Sequence, residues 1–420
     1  VHKRKPALLL IATLTVLTGI AGYHWLYGLL LGTDSAVYRA GALAVLRGQP
    51  LYEPLLALDP ELAPELPFTY PPIAALLFLP LTLLPPQFVW LLFAGGSVLA
   101  LWTVLRTFAG TVPPVLLCLV PLLEPVWRLF GLGQINAILM AIVVLDVLPT
   151  RRSRYSGLLI GLAAAVKLTP LIFIAHLFLT GRRADGCRAL AAFLGATGIG
   201  ALVLPRDSLR YWTSAVVDNR NAGSVDWVLD QSLHGLLTRF GVTSIACYAA
   251  MAALCLAVGA ALVREFHRRG DPRAALLVSA GCALLVSPLS WTHHWIWVVA
   301  LAGYLARRWA ALAGVAAVFI GQSLAVVPEG GHRELAWNLG QAVLGNAYVL
   351  AALAAGGVLA VRLLLRPPRV GLAELAGTRD RRWCRPPPAP PTPSAAEVSE
   401  VRLAADEIVR RAVEDAGDSR

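Results

Sequence analysis

Four sets of polar residues interrupt an otherwise apolar chain at places where chemistry can be done. Asp34 follows directly on the apolar run Ala7–Leu31, about where a helix crossing a bilayer would leave it. A carboxylate at a membrane surface is costly unless water, a partner or a task holds it there. A positioned carboxylate can take a proton from a hydroxyl, the work of a general base. Lys167 stands beside Pro170 in the middle of Tyr155–Thr180. An ammonium there is the costliest of these groups, and it can neutralise an anion such as a phosphate. His293 and His294 sit where the run Ala274–Trp291 ends, among Trp291, Trp295 and Trp297, and Gln134 and Asn136 stand at the start of Ile135–Leu148.

Each set has a plainer reading beside the chemical one. Asp34 can be a solvated residue past a helix end. Lys167 can be a helix-end lysine reaching out to water. The histidines can be polar neighbours in an interfacial aromatic belt. Adjacent residues point about 100° apart on a helix, so the pair cannot easily share one metal, and a zinc site would want His at i and i+4. Cys118, Cys187, Cys247, Cys255, Cys282 and Cys384 are scattered, with no metal-ligand spacing, and read as small hydrophobes. No metal and no cofactor is expected.

The elements that must position these residues follow from composition. With 420 residues, 57% of them hydrophobic, the chain reads as an all-α polytopic membrane protein. Its mean hydropathy of +0.66 agrees. Lipid-facing spans must be helices, and the period-2 alternation of a barrel is absent. The net charge of +11 sits in short basic clusters between apolar runs, the pattern of cytoplasmic loops rather than of nucleic-acid binding.

The basic start His2-Lys3-Arg4-Lys5 predicts a cytoplasmic N-terminus and a first span that delivers Gly32–Pro72 to the outer side. Within that loop, Ser35–Gly48 reads as a short amphipathic helix along the interface. Pro72–Pro85 is short for a span, since fourteen residues of helix rise only ~21 Å against a ~30 Å core. Gln87–Arg106 is a full span, and Val112–Phe130 is interrupted by prolines, Glu124 and Arg128. Parity requires that Pro72–Pro85 or Val112–Phe130 does not fully cross. Arginines flank Tyr155–Thr180 at both ends, which favours a broken hairpin with Lys167 near its apex over a single crossing. Ala189–Leu204, Ser244–Val263, Ala274–Trp291, Ile296–Ala306, Trp309–Val327 and Val343–Leu365 then alternate, giving about twelve spans with both termini cytoplasmic.

On this topology polar residues gather on the outer side. Asp34, Tyr38, Arg39 and Tyr70 come from the first loop. Arg206, Arg210, Asp218, Arg220, Asp230 and His234 come from the loop Pro205–Gly241. After the membrane domain, residues 1–366, a Pro- and Arg-rich linker at 367–393 leads to a tail helix at 394–420. That helix opens on a capping-box pattern, Ser394 with Glu397.

The first-loop pattern of Asp34, Tyr38, Arg39, Gly48, Leu51, Tyr52, Phe68, Tyr70, Pro71 and Pro72 resembles glycosyltransferase family 87, of the GT-C class. Gly133-Gln134-Ile135-Asn136, the run from Gly161 to Lys167-Leu168-Thr169-Pro170, and Ser287-Pro288-Leu289-Ser290-Trp291 with His293-His294 match it as well. Asp230-Gln231-Ser232 departs from the Asn-Gln-Ser of that pattern. The resemblance implies a bacterial plasma-membrane mannosyltransferase with its site on the outer face. It implies a polyprenyl-phosphate-mannose donor, a glycolipid or glycan acceptor, and inverting transfer, with an α-1,2 linkage. It makes Asp34 the general base and gives Lys167, His293, His294, Arg206 and Arg210 to the donor phosphate and sugar. Tyr38, Arg39, Tyr70, Gln134, Asn136 and His234 then support the acceptor or the site. Two alternatives differ in class: a transferase for another polyprenyl-linked sugar such as a pentofuranose, and a transporter or flippase of a lipid-linked sugar. Transporters of this size often show two related halves, and none is found in this sequence.

Overall fold

In the computed structural model, residues 31–52, 66–149, 153–216, 223–320 and 326–365 are described, with isolated positions 18, 19, 22 and 324. The expected first span, apart from Leu31 and those isolated positions, lies outside the described residues. So do Asp218, Arg220, the linker and the tail helix. Every regular element among the described residues is helical, with one isolated bridge between Asp230 and Trp291.

Helix α1 (Thr33–Leu46) starts two residues before the expected Ser35 and ends ahead of Gly48, which turns at φ 65°. It does not lie on a surface, because Val37, Tyr38, Gly41, Ala42 and Ala44 are all buried. The Tyr38 ring stacks on Phe78 at 4.9 Å and meets Phe93 edge-on at 5.2 Å. Such pairs add ~0.5–1.5 kcal/mol each beyond their buried area. Phe68 packs so close to Gly41 that a Cβ there would enter its ring.

The stretch after Tyr70 splits into α2 (Pro72–Leu77) and a 3-10 turn (Leu79–Leu83), and neither piece approaches the thickness of a bilayer core. Helix α3 (Pro86–Ala109) is the expected full span. The proline-interrupted stretch becomes α4 (Pro114–Leu119), a 3-10 turn (Val120–Leu122) and α5 (Glu124–Leu132), bent by 61° at the break. Proline lies in the first turn of each piece, where its missing N–H costs nothing. Helix α6 (Asn136–Val147) follows at once.

Tyr155–Thr180 is broken at Lys167 into α7 (Leu158–Val166) and α8 (Leu171–Leu179). Both outer ends of this pair meet the start of α9 (Arg183–Val203). Gly157 lies against the Asp185 carbonyl, and Phe178 lies against Gly186. The stretch therefore runs away from the start of α9 and returns to it, a hairpin with Lys167 at the turn. Its base is tied by buried charge. The Asp146 carboxylate accepts from the amides of Gly157 at 2.7 Å and Ile160 at 3.1 Å. Arg182 donates to the carbonyls of Val147 at 2.8 Å and Asp146 at 3.1 Å, and to Asp185 at 2.7 Å. One acid thus caps the start of α7, and one arginine caps the end of α6.

Beyond α9 come α10 (Pro205–Arg210), a π turn (Tyr211–Ala215), α11 (Leu233–Arg239), α12 (Ile245–Arg268) and α13 (Pro272–Val286). A 3-10 turn (Thr292–Trp297) leads into α14 (Val298–Tyr304), then α15 (Trp309–Ile320). The last pair, α16 (Leu339–Gly345) and α17 (Ala347–Leu364), is bent by 79°. Among the described residues, Pro86–Ala109, Arg183–Val203 and Ile245–Arg268 are long and apolar enough to cross a membrane, and counting each bent pair as one span gives up to five. The expectation of about twelve spans goes beyond this. Several stretches counted toward it form shorter helices, such as the seven residues of α14 and the twelve of α15.

The tight contact between α7 and α9 makes a stability test. A Cβ on Gly161 would run into the Ala189 carbonyl oxygen, whereas Gly198, also helical, has open space around it. Gly161→Ala should cost ~1–3 kcal/mol through overpacking. Gly198→Ala should be neutral or stabilise by up to ~1 kcal/mol through helix propensity. Thermal unfolding of the two variants in detergent checks the contrast.

Candidate active site

The site is assembled from helix ends. Gly32 and Gly133 both hold left-handed backbone, at φ 78° and 68°. The Gly32 amide donates to the Gly131 carbonyl at 2.7 Å, and the Ser35 hydroxyl returns to the Gly32 carbonyl at 2.8 Å. Trp90 braces the second turn by donating from Nε1 to the Phe130 carbonyl at 2.7 Å. This brings the first turn of α1, with Asp34, against the α5–α6 connection that carries Gln134 and Asn136.

Gln134 is buried and uses both ends of its amide. Its Nε2 donates to Asp34 Oδ2, and its Oε1 accepts from the Tyr38 hydroxyl at 3.0 Å. The Tyr38 and Tyr70 hydroxyls meet at 3.0 Å. Because Tyr38 spends its one proton on Gln134, Tyr70 must donate to Tyr38. The chain of bonds therefore runs from Tyr70 through Tyr38 and Gln134 to Asp34, with the carboxylate as its acceptor end. Asp34 is half-buried. Loss of water around its carboxyl raises the pKa from 3.8 to about 6, while the Gln134 bond and the Lys167 charge pull the other way.

Lys167 ends α7 in extended backbone. Its Nζ donates to Asn136 Oδ1 at 2.8 Å and lies 3.3 Å from His294 Nε2 and 5.3 Å from the centroid of the Tyr70 ring. His293 and His294 are in a 3-10 turn rather than a helix, with ring centroids 4.6 Å apart and planes at 87°. Trp295 is buried against Phe319 and Tyr348, so it belongs to the core and not to an interfacial belt. A crevice with about 40 Å³ of water-sized space opens beside the lysine. Asn136, Thr169, Ser290 and His294 form its polar wall, and Leu139, Met140, Phe173, Leu284 and Trp297 its apolar wall. Buried polar atoms with no partner among the described residues include Asn136 Nδ2 and His293 Nε2.

Other residues expected at the site lie elsewhere. Arg39 donates to the Leu84 carbonyl at 2.9 Å and ties α1 to the end of the 3-10 turn. Arg206 and Arg210 are exposed on α10, which is held to the first loop where Asp207 accepts from the Leu51 amide at 2.9 Å. His234 packs on the Tyr248 ring at 4.9 Å, with Nδ1 3.4 Å from the Pro288 carbonyl. Asp230 is fully buried and accepts from the Ser290 amide at 2.7 Å and the Ser232 hydroxyl at 3.0 Å, pinning the segment before the histidines. Burial raises its pKa to about 7, against the Ser290 amide and Arg239.

Sequence reasoning missed Glu124 as part of this region and took it only as an interruption of an apolar run. It accepts from Thr292, the residue before His293, at 2.8 Å, and from the Tyr348 hydroxyl at 3.1 Å. An acid in a proline-broken apolar run was the available signal. Among the described residues no three His, Cys, Asp or Glu side chains are grouped to hold a metal ion.

Residues 68–288 match glycosyltransferase family 87, more than half of the chain. The chain belongs to glycosyltransferase family 87. It is 32% identical over 361 residues to a polyprenol-phosphate-mannose-dependent alpha-(1-2)-phosphatidylinositol mannoside mannosyltransferase of Mycobacterium tuberculosis, covering 76% of this chain and 82% of that protein. A protein of the same name from Mycolicibacterium smegmatis is 32% identical over 382 residues, 79% of this chain and 85% of its own. A Mycobacterium tuberculosis pentamannoside mannosyltransferase is 33% identical over 285 residues, 64% of each chain. No solved structure matches the chain.

If Asp34 acts as a base in this family 87 glycosyltransferase, its raised pKa sets a pH limit. The carboxylate must be deprotonated, so kcat/KM should fall as pH drops through about 6. Gln134→Met removes a bond that favours the charged form, so the acid limb should move to higher pH. Initial rates of both proteins between pH 4.5 and 8 give the comparison. An acid limb unmoved in Gln134→Met would separate that limb from Asp34.

Proposed function

We propose that this glycosyltransferase moves mannose from a polyprenyl-phosphate-mannose donor to a hydroxyl of a phosphatidylinositol-mannoside-type glycolipid, in α-1,2 linkage and with inversion. The observation that carries the reading is that an acid and a cation are held by two neighbouring amides of one connection, Gln134 and Asn136, the second of which lines the crevice. Asp34 sits on Gln134, Lys167 sits on Asn136 two residues further on, and each charge acts on the other. The names of the relatives supply the donor and acceptor classes.

In this mechanism Asp34 takes the proton of the acceptor hydroxyl. The acceptor oxygen attacks C1 of the mannose from the side opposite the phosphate. The new C1–O bond forms as the C1–O bond to phosphate breaks, and the bonding pair leaves on the polyprenyl phosphate. Lys167 meets that growing negative charge, and His294 and Asn136 donate to the phosphate or to sugar hydroxyls. The apolar wall of the crevice receives the start of the isoprenoid. Tyr70 and Tyr38 hold Gln134, and through it the carboxylate.

The same proposal places the site on the outer face of a bacterial plasma membrane, in a chain of about twelve membrane-spanning stretches with cytoplasmic termini. Residues 367–393 are read as a cytoplasmic linker and residues 394–420 as a cytoplasmic tail. Arg206 and Arg210 are kept as entry-side cations, and Arg39 and His234 as structural support.

Asp34→Asn keeps the shape and removes the base. Transfer of labelled mannose should drop ~100- to 10,000-fold while donor binding persists. Near-normal turnover in folded Asp34→Asn protein would sink the assignment. Lys167→Met should raise the donor KM strongly and leave the acceptor KM little changed. Lys167→Arg should recover only part, because a planar fork does not replace a compact ammonium. Unchanged donor kinetics would end the phosphate role of Lys167. For orientation, Ser224→Cys in a background without native cysteines should react with an impermeant thiol reagent added outside, and Ser153→Cys should not. The opposite labelling pattern would invert the site.

A further inference from the structure

We infer that Arg128 is a second cation of the donor site, meeting the leaving phosphate from the His293 side as Lys167 meets it from the His294 side. The inference rests on the donor reading above and adds a residue to it.

Arg128 stands one turn after Glu124 on α5 and pairs with it through Nε. Glu124 is 5% exposed, and its two oxygens are shared by Arg128, Thr292 and Tyr348. The carboxylate therefore fixes the arginine and the start of the histidine turn against each other. Among the described residues Arg128 makes no other hydrogen bond, and its side chain is 29% exposed. The guanidinium has five N–H donors in a fixed fork, and the Nε bond to Glu124 leaves the Nη groups for another acceptor.

Arg128 and Thr292, the residue before His293, share Glu124, while Lys167 Nζ lies 3.3 Å from Nε2 of His294, the residue after it. His293 is 7% exposed and its Nε2 has no partner among the described residues, so a buried donor or acceptor stands open on the turn that Glu124 joins to Arg128. An unpaired polar atom of this kind is costly unless a ligand completes it. The ligand chemistry that suits two cations and an imidazole is a phosphate. The reaction also asks for two cations. A sugar phosphodiester carries one negative charge, and the departing polyprenyl phosphate gains a second as the C1–O pair moves onto its oxygen. Lys167 balances the first charge, and Arg128, preset by Glu124, balances the second.

The test uses the full chain in detergent with polyprenyl phosphate as the binding probe and polyprenyl-phosphate-mannose as the donor. Arg128→Met should weaken polyprenyl phosphate binding and raise the donor KM ~10- to 100-fold, the range of a lost charge-assisted hydrogen bond. The acceptor KM should stay within about twofold, and Arg128→Lys should recover part of the loss through its charge. A merely structural arginine predicts equal losses for donor and acceptor, and no advantage of Lys over Met. Either result overturns the inference, as does wild-type affinity of Arg128→Met for polyprenyl phosphate. Should Arg128→Met not fold, Arg128→Gln against Arg128→Lys carries the same comparison. The two readings fail separately. Arg128-dependent binding of polyprenyl phosphate without mannose transfer by the wild type would overturn the sugar assignment and support the cation. Mannose transfer indifferent to Arg128 would overturn the cation alone.

Discussion

The polar site depends on the contact between two glycine turns. A Cβ on Gly32 or on Gly133 would meet Ser35 and Trp90 at or inside van der Waals contact, and both residues hold left-handed backbone. With both side chains absent, the start of α1 can approach the α5–α6 connection closely enough for a direct amide-to-carbonyl bond. The six residues Gly131-Leu132-Gly133-Gln134-Ile135-Asn136 then serve two sides at once. Gln134 faces the acid of the first loop and Asn136 faces the lysine of the hairpin. A shift of this connection would move acid and cation apart together.

That arrangement explains why so many elements are short or broken. Intramembrane charges and irregular backbone are tolerated where protein or a water-filled cavity surrounds them. Asp34, Gln134, Asn136, Lys167 and His294 all come from helix ends or the turns between helices, where backbone groups already need partners. Straight spans would carry these side chains on their flanks, toward lipid or toward apolar neighbours. The breaks at Leu123 and at Lys167–Pro170 bring helix ends into one hydrogen-bonded set instead.

Much of this was legible in the sequence, for identifiable reasons. A lone lysine between arginine clusters implied a hairpin, and the Gly157–Asp185 and Phe178–Gly186 contacts give one. The pairing of Tyr38 with Tyr70 and Gln134 was implied only as a gathering of outer-loop residues, since spacing does not reveal which hydroxyl meets which amide. The helix Ser35–Gly48 looked like a surface helix because periodicity reports apolar faces but not what covers them. Here Phe68, Phe78 and Phe93 bury it from several sides. Arg206, Arg210 and His234 were grouped with the site by their shared loop, but shared loop membership does not bring side chains together. Glu124 was passed over because its partners Thr292 and Tyr348 lie 168 and 224 residues away in the chain.

The placement of Lys167 is bought at the opposite end of its hairpin. Nine-residue helices such as α7 and α8 are too short to be stable alone and must be held by their surroundings. Asp146 closes the start of α7 through two amides, and Arg182 spans the end of α6 and Asp185. Buried charges that are paired and fully hydrogen-bonded are hard to rearrange, because moving one leaves another uncompensated. The base is therefore stiff, and α6 is common to both ends: its first residue, Asn136, receives Lys167, and Asp146 in its last turn anchors the start of α7. The distance from anchor to apex is fixed along a single helix. The lysine is thus located by the length of α6 rather than by the turn that carries it. This allows Lys167-Leu168-Thr169-Pro170 to be an irregular segment without leaving its ammonium free to wander from Asn136 and His294.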